Sequence, residues 1–185
     1  MTAYVALLRG VNVGGVTVRS AALAELFRSL GFTAVRTVLA SGNVAFESAD
    51  GTHGADETGE TDAAALARRI ESALAERFGY EARIVLVTRA KLAELVAAFP
   101  FDAEREGWHP YVLLGSDAAQ LAELQAAAGA LDPADEVVVA GDGVLYWHLR
   151  IAVGSTNSPF AKLTAKTRFT RTTTNRNLRT LRKLL

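Results

Sequence analysis

The sequence predicts an α+β protein built from two ferredoxin-like βαββαβ halves, each an antiparallel sheet with helices packed on one face. The first observation behind this is an internal repeat in one order. Tyr4-Val5-Ala6-Leu7-Leu8 returns as Tyr111-Val112-Leu113-Leu114, Ala21–Leu26 returns as Ala118–Leu124, and the hairpin Val38–Val44 lines up with Val138–Val144 at an offset of 100. The second is that strand and helix periodicities alternate in the same way within each half. The third is size: 185 residues, 50% of them hydrophobic, suffice to bury a core without covalent staples.

The elements follow in order. Tyr4–Leu8 is apolar at every position, the pattern of a central strand covered on both faces. Gly10–Gly15 is a glycine-rich loop. Leu23, Leu26, Phe27 and Leu30 recur at helical spacing, and Gly31 stands where a helix C-cap glycine belongs. Val35–Leu39 and Val44–Phe46 read as paired strands around Ser41-Gly42-Asn43, with Asn43 in a left-handed conformation. Ser48–Thr61 is polar, acidic and without apolar period, hence a loop. Asp62 suits the N-cap of a helix running to about Phe78, with Leu66, Ile70 and Leu74 inward. Ala82–Thr88 is a strand, and Lys91–Ala98 is a short helix leading to Pro100. In the second half, a helix from about Ser158 and a β-branched strand, Thr170–Thr174, complete the unit. A closing helix from Asn175 sets Leu178, Leu181, Leu184 and Leu185 against Arg176, Arg179, Arg182 and Lys183. The organisation expected is therefore 1–90 as the first half, 91–108 as a connector, and 109–185 as the second half with its terminal basic helix.

Composition narrows the chemistry. There is no cysteine, which excludes disulfides, thiolate metal sites and a cysteine nucleophile, and points to a reducing compartment. The apolar run near Met1 is short and broken by Arg9, so neither a membrane span nor a signal peptide is expected, and a cytoplasmic location is. Net charge is zero, yet the chain is polarised. After Asp142 come nine cations and no acid, which leaves the preceding part at −9.

The stretch Ala6-Leu7-Leu8-Arg9-Gly10-Val11-Asn12-Val13-Gly14-Gly15, with Gly31-Phe32, Val35-Arg36-Thr37, Ser41-Gly42-Asn43-Val44 and Phe46, resembles a family of uncharacterised bacterial proteins, domain of unknown function 1697. Arg176-Asn177, Thr180 and Lys183-Leu184 match its closing motif. The resemblance implies two ferredoxin-like halves and no established activity. Leu178 and Arg179 stand where the family carries an aromatic residue and Asn, and Asn175 where it carries Thr; any stacking role of that aromatic is lost here.

Four candidate sites present themselves. Arg9 to Gly15 follows a strand and precedes a helix, a place where backbone N–H groups cradle phosphate, but its spacing is neither G-x-G-x-x-G nor a P-loop. Ser41 lacks the G-x-S-x-G setting and has no histidine at a linking distance in sequence, so a hairpin turn is favoured over a nucleophile. His53, His109 and His148 are singletons without metal-ligand spacing, flanking strands or lying in a loop, so no metal is assigned. The C-terminal cations form an anion-attracting segment without interleaved aromatics, and the strands lack the aromatic pair that stacks RNA bases. The leading expectation is a non-catalytic protein binding an anionic small molecule (a nucleotide or phosphorylated metabolite) or nucleic acid, through Arg9, Asn12, Gly14, Gly15, Ser41, Asn43, Arg176 and Asn177, with no cofactor. One alternative is an enzyme that holds substrate with Arg9, Asn12, Ser41 and Asn43 and borrows its base elsewhere. Another is an interaction module in which the acidic front and basic tail pair.

Overall fold

An unbroken apolar strand at the centre of a sheet organises each half of the chain. The computed structural model describes residues 1–11, 17–39, 42–49 and 62–185 (of Asp62 the backbone only). They form two compact units, Met1–Leu92 with Lys183–Leu185, and Ala93–Arg182.

In the first unit, β1 (Thr2–Arg9), α1 (Ser20–Ser29), β2 (Thr33–Thr37), β3 (Asn43–Ser48), α2 (Asp62–Phe78) and β4 (Arg83–Thr88) follow one another. The sheet order is β2-β3-β1-β4, antiparallel throughout, which is the ferredoxin-like arrangement. Tyr4, Ala6 and Leu8 point to the helices and meet Leu23 and Phe27 of α1 and Leu66, Ile70 and Leu74 of α2. Val5 and Leu7, on the opposite face of β1, are also fully buried. Tyr4, Phe27, Phe32 and Phe46 stack edge and face within this core. Gly31 ends α1 at φ +84, its N–H donating to Arg28 O (2.9 Å) while Phe32 N–H reaches Phe27 O (3.3 Å), a Schellman pair.

α3 (Arg89–Ala97) carries the chain into the second unit: β5 (Trp108–Gly115), α4 (Ala118–Ala128), β6 (Glu136–Ala140), β7 (Val144–Arg150), α5 (Pro159–Thr164), α6 (Thr167–Thr170), β8 (Thr173–Asn177) and α7 (Leu178–Arg182). The order β6-β7-β5-β8 repeats that of the first sheet, position for position. Two antiparallel sheets with helices alongside make the α+β fold, consistent with duplicated ferredoxin-like halves. Ser158 caps α5, its Oγ accepting from Ala161 N (3.0 Å). Buried Glu136 braces the same corner, accepting from Trp147 Nε1 and Phe160 N, each at 3.1 Å. Among the described residues, no helix is long and apolar enough to cross a membrane.

In the C-terminal segment two boundaries differ from expectation. Residues 175–177 are strand, not helix: Asn175, Arg176 and Asn177 pair with Leu113, Val112 and Tyr111 of β5, and the helix starts only at Leu178. Cross-strand pairing with a buried central strand outweighs local helical periodicity. Thr170, the first residue of the β-branched run, instead closes a helical turn, Thr167–Thr170, and the strand starts only at Thr173. The repeat offset also shifts. Leu7 faces Asn43 as Leu114 faces Val144, and the hairpin-closing bonds run from Val38 N to Asn43 O and from Gly141 N to Val144 O. Val38 thus matches Gly141 and Asn43 matches Val144, because the first hairpin loop (39–42) is two residues longer than the second (142–143).

Candidate functional site

The two units share a strand plan, and two of their differences meet at one end of the first sheet. Between β1 and α1 the chain takes residues 10–19, whereas between β5 and α4 it takes only Ser116 and Asp117. The β2–β3 loop is likewise the longer one. Both extra loops emerge where β1 ends and β3 begins, and they touch. Leu8 N donates to Gly42 O (2.8 Å), and a Cβ on Gly42 would lie 2.6 Å from Val11 Cγ2. Gly42, at φ +68, is the residue that admits this approach.

Arg9 closes β1 at this end and is only 9% exposed. It faces Arg83 across the β1–β4 ladder. Burial lowers the Arg9 pKa; Glu71 pulls it upward and Arg83 downward. Glu71, on α2, accepts from Ile84 N (2.9 Å) and pairs with Arg83 at 3.5 Å, while Arg83 also meets Glu81 at 3.1 Å. The Tyr80 phenol is pushed up to about 12, chiefly by burial and then by Glu71. α1 begins at the same end behind Arg19, whose side chain supplies no capping hydrogen bond, and its first turn carries no acid. Its positive dipole end therefore adds to the two arginines.

Asn12, Gly14, Gly15 and Ser41 lie outside the described residues, as do His53 and most of the 48–61 loop. Asn43 is fully buried in β3, and its Nδ2 donates to Val38 O (2.8 Å). Positive φ falls at Leu39 and Gly42, not at Asn43. Arg176 lies in the second unit on the edge strand β8, where Nη1 donates to Thr174 Oγ1 (2.6 Å) and Asn175 O (2.9 Å). Asn177 Oδ1 accepts from Arg179 N (2.9 Å), so Asn177, rather than the threonines before it, caps the closing helix.

The basic tail carries carboxylates of its own unit. Glu104 pairs with both Arg179 (3.3 Å) and Arg182 (2.8 Å), Asp135 with Arg150 (3.3 Å), and Glu123 with Arg168. These pairs divide the field that composition alone would assign to the tail. His109 sits within β5, and His148 is buried within β7, so neither merely flanks a strand. No group of three His, Asp or Glu side chains among the described residues is placed to hold a metal.

Arg83, Glu71 and Tyr80 escaped sequence reasoning. Arg83 and Tyr80 are marked only by position near the start of β4, which pairs antiparallel to the end of β1, and Glu71, midway along α2, carries no local signal.

A family model described as "Protein of unknown function (DUF1697)" matches residues 1–146. The conserved bacterial protein SP0830 from Streptococcus pneumoniae has a similar structure: TM-score 0.77 at 24% identity, covering 99% of this chain and 96% of that one. That likeness extends the shared fold through both units. No curated protein matches the chain.

Proposed function

The chain belongs to the DUF1697 family of proteins of unknown function, and from that premise we propose that its first unit binds a small phosphorylated ligand, a nucleotide or phosphorylated metabolite, at the end of β1. The observation that carries this is the facing pair Arg9 and Arg83 at the place where two loops longer than their counterparts in the sister unit meet. Duplicated halves need equal scaffolding, so loops enlarged in one copy alone are where a binding task is expected to reside. A buried guanidinium presents fixed donors that suit phosphate oxygens, and the α1 N-terminus favours the same charge. Glu71 fixes Arg83 and the start of β4, which orients the pair.

Asn43 enters as a brace for the β2–β3 loop. With its amide committed to Val38, the enzymatic alternative loses one of the groups it needs to hold a substrate. The ion-paired tail gives nucleic acid less support than a small ligand.

Calorimetry and thermal shift with inorganic phosphate, nucleoside mono-, di- and triphosphates, and short RNA and DNA test the proposal. Phosphate or a nucleotide is expected to stabilise the protein, with binding weakened about tenfold or more in Arg9→Lys, which keeps the charge and loses the fork. No stabilisation by any of them at millimolar concentration, or equal binding by the wild type and Arg9→Lys, overturns it. Stabilisation by RNA or DNA alone replaces it with the nucleic-acid reading.

A further inference from the structure

Helices cover one face of the second sheet, over Leu113, Leu145, Trp147 and Leu149. On the opposite face Tyr146 and His148 are also buried. An irregular segment, residues 98–107, supplies cover there. Phe101 stacks on the His148 ring, Phe99 stands edge-on to Tyr146 at 5.7 Å, and Trp108, where the segment joins β5, tilts against His148. Residues 99–101 enter no main-chain hydrogen bond among the described residues, so the packing of their rings is what holds them. Further along, Arg105 N to Asp102 O (3.2 Å) and Trp108 N to Arg105 O (3.3 Å) are turns internal to the segment, and Gly107 O is tethered by Ile151 N (2.8 Å).

His148 is the titratable group under this cover, and its surroundings suit the neutral ring. Nε2 is buried without a hydrogen-bond partner among the described residues. β5 sets Trp108 and Pro110 beside it, and β6 sets Val137 opposite. Of the charged groups in the segment, Arg105 repels an imidazolium and Asp102 attracts it. Arg105 also lies over the Trp108 ring at 4.2 Å, so a charged His148 brings a second cation to one indole. Arg150, two residues along β7, is paired with Asp135 at 3.3 Å. His109 and Glu136 turn to the other face, toward Tyr111 and Trp147. A charged N–H at Nε2 needs an acceptor, and water supplies one once the rings above it leave.

We propose that residues 98–107 form an acid-released latch: a proton on His148 ejects Phe99 and Phe101 from the sheet face and leaves the rest of the second unit folded. Because Nε2 is inaccessible in the closed state, opening and protonation are one linked event. The latch is independent of the anion site in the first unit and stands if that one fails.

Amide exchange and ring-proton NMR between pH 8 and 5 test it. Protection of the Arg105 and Trp108 amides, taken relative to intrinsic exchange at each pH, is expected to fall about tenfold or more, while that of Val112 and Leu145 in the ladder holds. Through-space contacts between the Phe101 and His148 rings are expected to vanish as His148 titrates. His148→Phe is expected to keep its protection at pH 5. Protection that stays constant, falls equally across the whole unit, or falls equally in His148→Phe overturns the latch. Ring contacts that persist once His148 is charged overturn it in the wild type alone, whether or not the variant folds.

Discussion

Asn43 and Val38 hold each other twice: Asn43 Nδ2 donates to Val38 O at 2.8 Å, and Val38 N donates to Asn43 O at 2.9 Å. The second bond closes any hairpin of this geometry, and the equivalent bond joins Gly141 to Val144 in the sister unit. The first is a side-chain addition found where the loop is two residues longer. A longer loop loses more conformational freedom on closing, and a buried amide at its base offsets part of that cost.

Replacing Asn43 with Ala is therefore expected to cost about 1–2 kcal/mol. That lowers the melting temperature by roughly 2–4 °C for each kcal/mol in a chain of this size. Asn43→Asp is expected to be worse, since a carboxylate cannot donate to the Val38 carbonyl. Urea and thermal unfolding of both variants check this. An Asn43→Ala protein as stable as the wild type would remove the brace, and lost ligand binding at unchanged stability would make Asn43 a ligand contact.

Gly42 and Gly143 occupy matching positions, each one residue before the second hairpin strand, at φ +68 and +71. Their surroundings differ. A Cβ on Gly143 meets nothing within 4 Å, whereas one on Gly42 would stand 2.8 Å from Leu8 Cβ as well as against Val11. Gly143→Ala thus bears only the left-handed backbone strain, about 1–2 kcal/mol. Gly42→Ala adds overpacking of about 1–3 kcal/mol against a Cβ that cannot swing away. Equal losses in the two variants would show that the two loops of the first unit do not meet as described.

What was legible in the sequence was local or periodic. β1 announced itself as a run apolar on both faces, Leu66, Ile70 and Leu74 marked the inner face of α2, and Gly31 marked the end of α1. The repeat exposed the duplication, although alanine and leucine left its register in the hairpin unresolved, and only the ladder bonds set it. What stayed hidden depended on partners distant in the chain. Residues 175–177 look helical until β5 claims them as a strand. Asn43 looks like a turn residue or a ligand contact until Val38 takes its amide. The tail looks like a bare cationic surface until Glu104, Glu123 and Asp135 are set beside it. Arg9 stands out because glycines follow it, but Arg83, its neighbour across the ladder, is seventy-four positions away and carries no motif.

His148 was the least legible of all, and its burial is expected to give the second unit a pH dependence. Its ring is 3% exposed, stacked on Phe101 at 5.1 Å and 16°, with Trp108 at 4.8 Å and Phe99 edge-on at 6.2 Å. Nε2 is buried without a hydrogen-bond partner among the described residues. Burial lowers its pKa below the ordinary 6.5 and Arg105 lowers it further, with Asp102 opposing. The unfolded chain therefore binds the proton more readily than the native one. Stability from this group is complete above about pH 6.5 and is lost as pH falls toward the native pKa, by up to about 1.4 kcal/mol per pH unit in that window. His148→Phe keeps the aromatic packing and removes the titration. Between pH 8 and 5, the wild type is expected to lose more stability than this variant. Chemical unfolding at both pH values measures that difference, and ring-proton NMR follows the histidine directly. Parallel pH profiles, or a His148 resonance titrating at or above 6.5, would mean that the aromatic layer tolerates the charged ring.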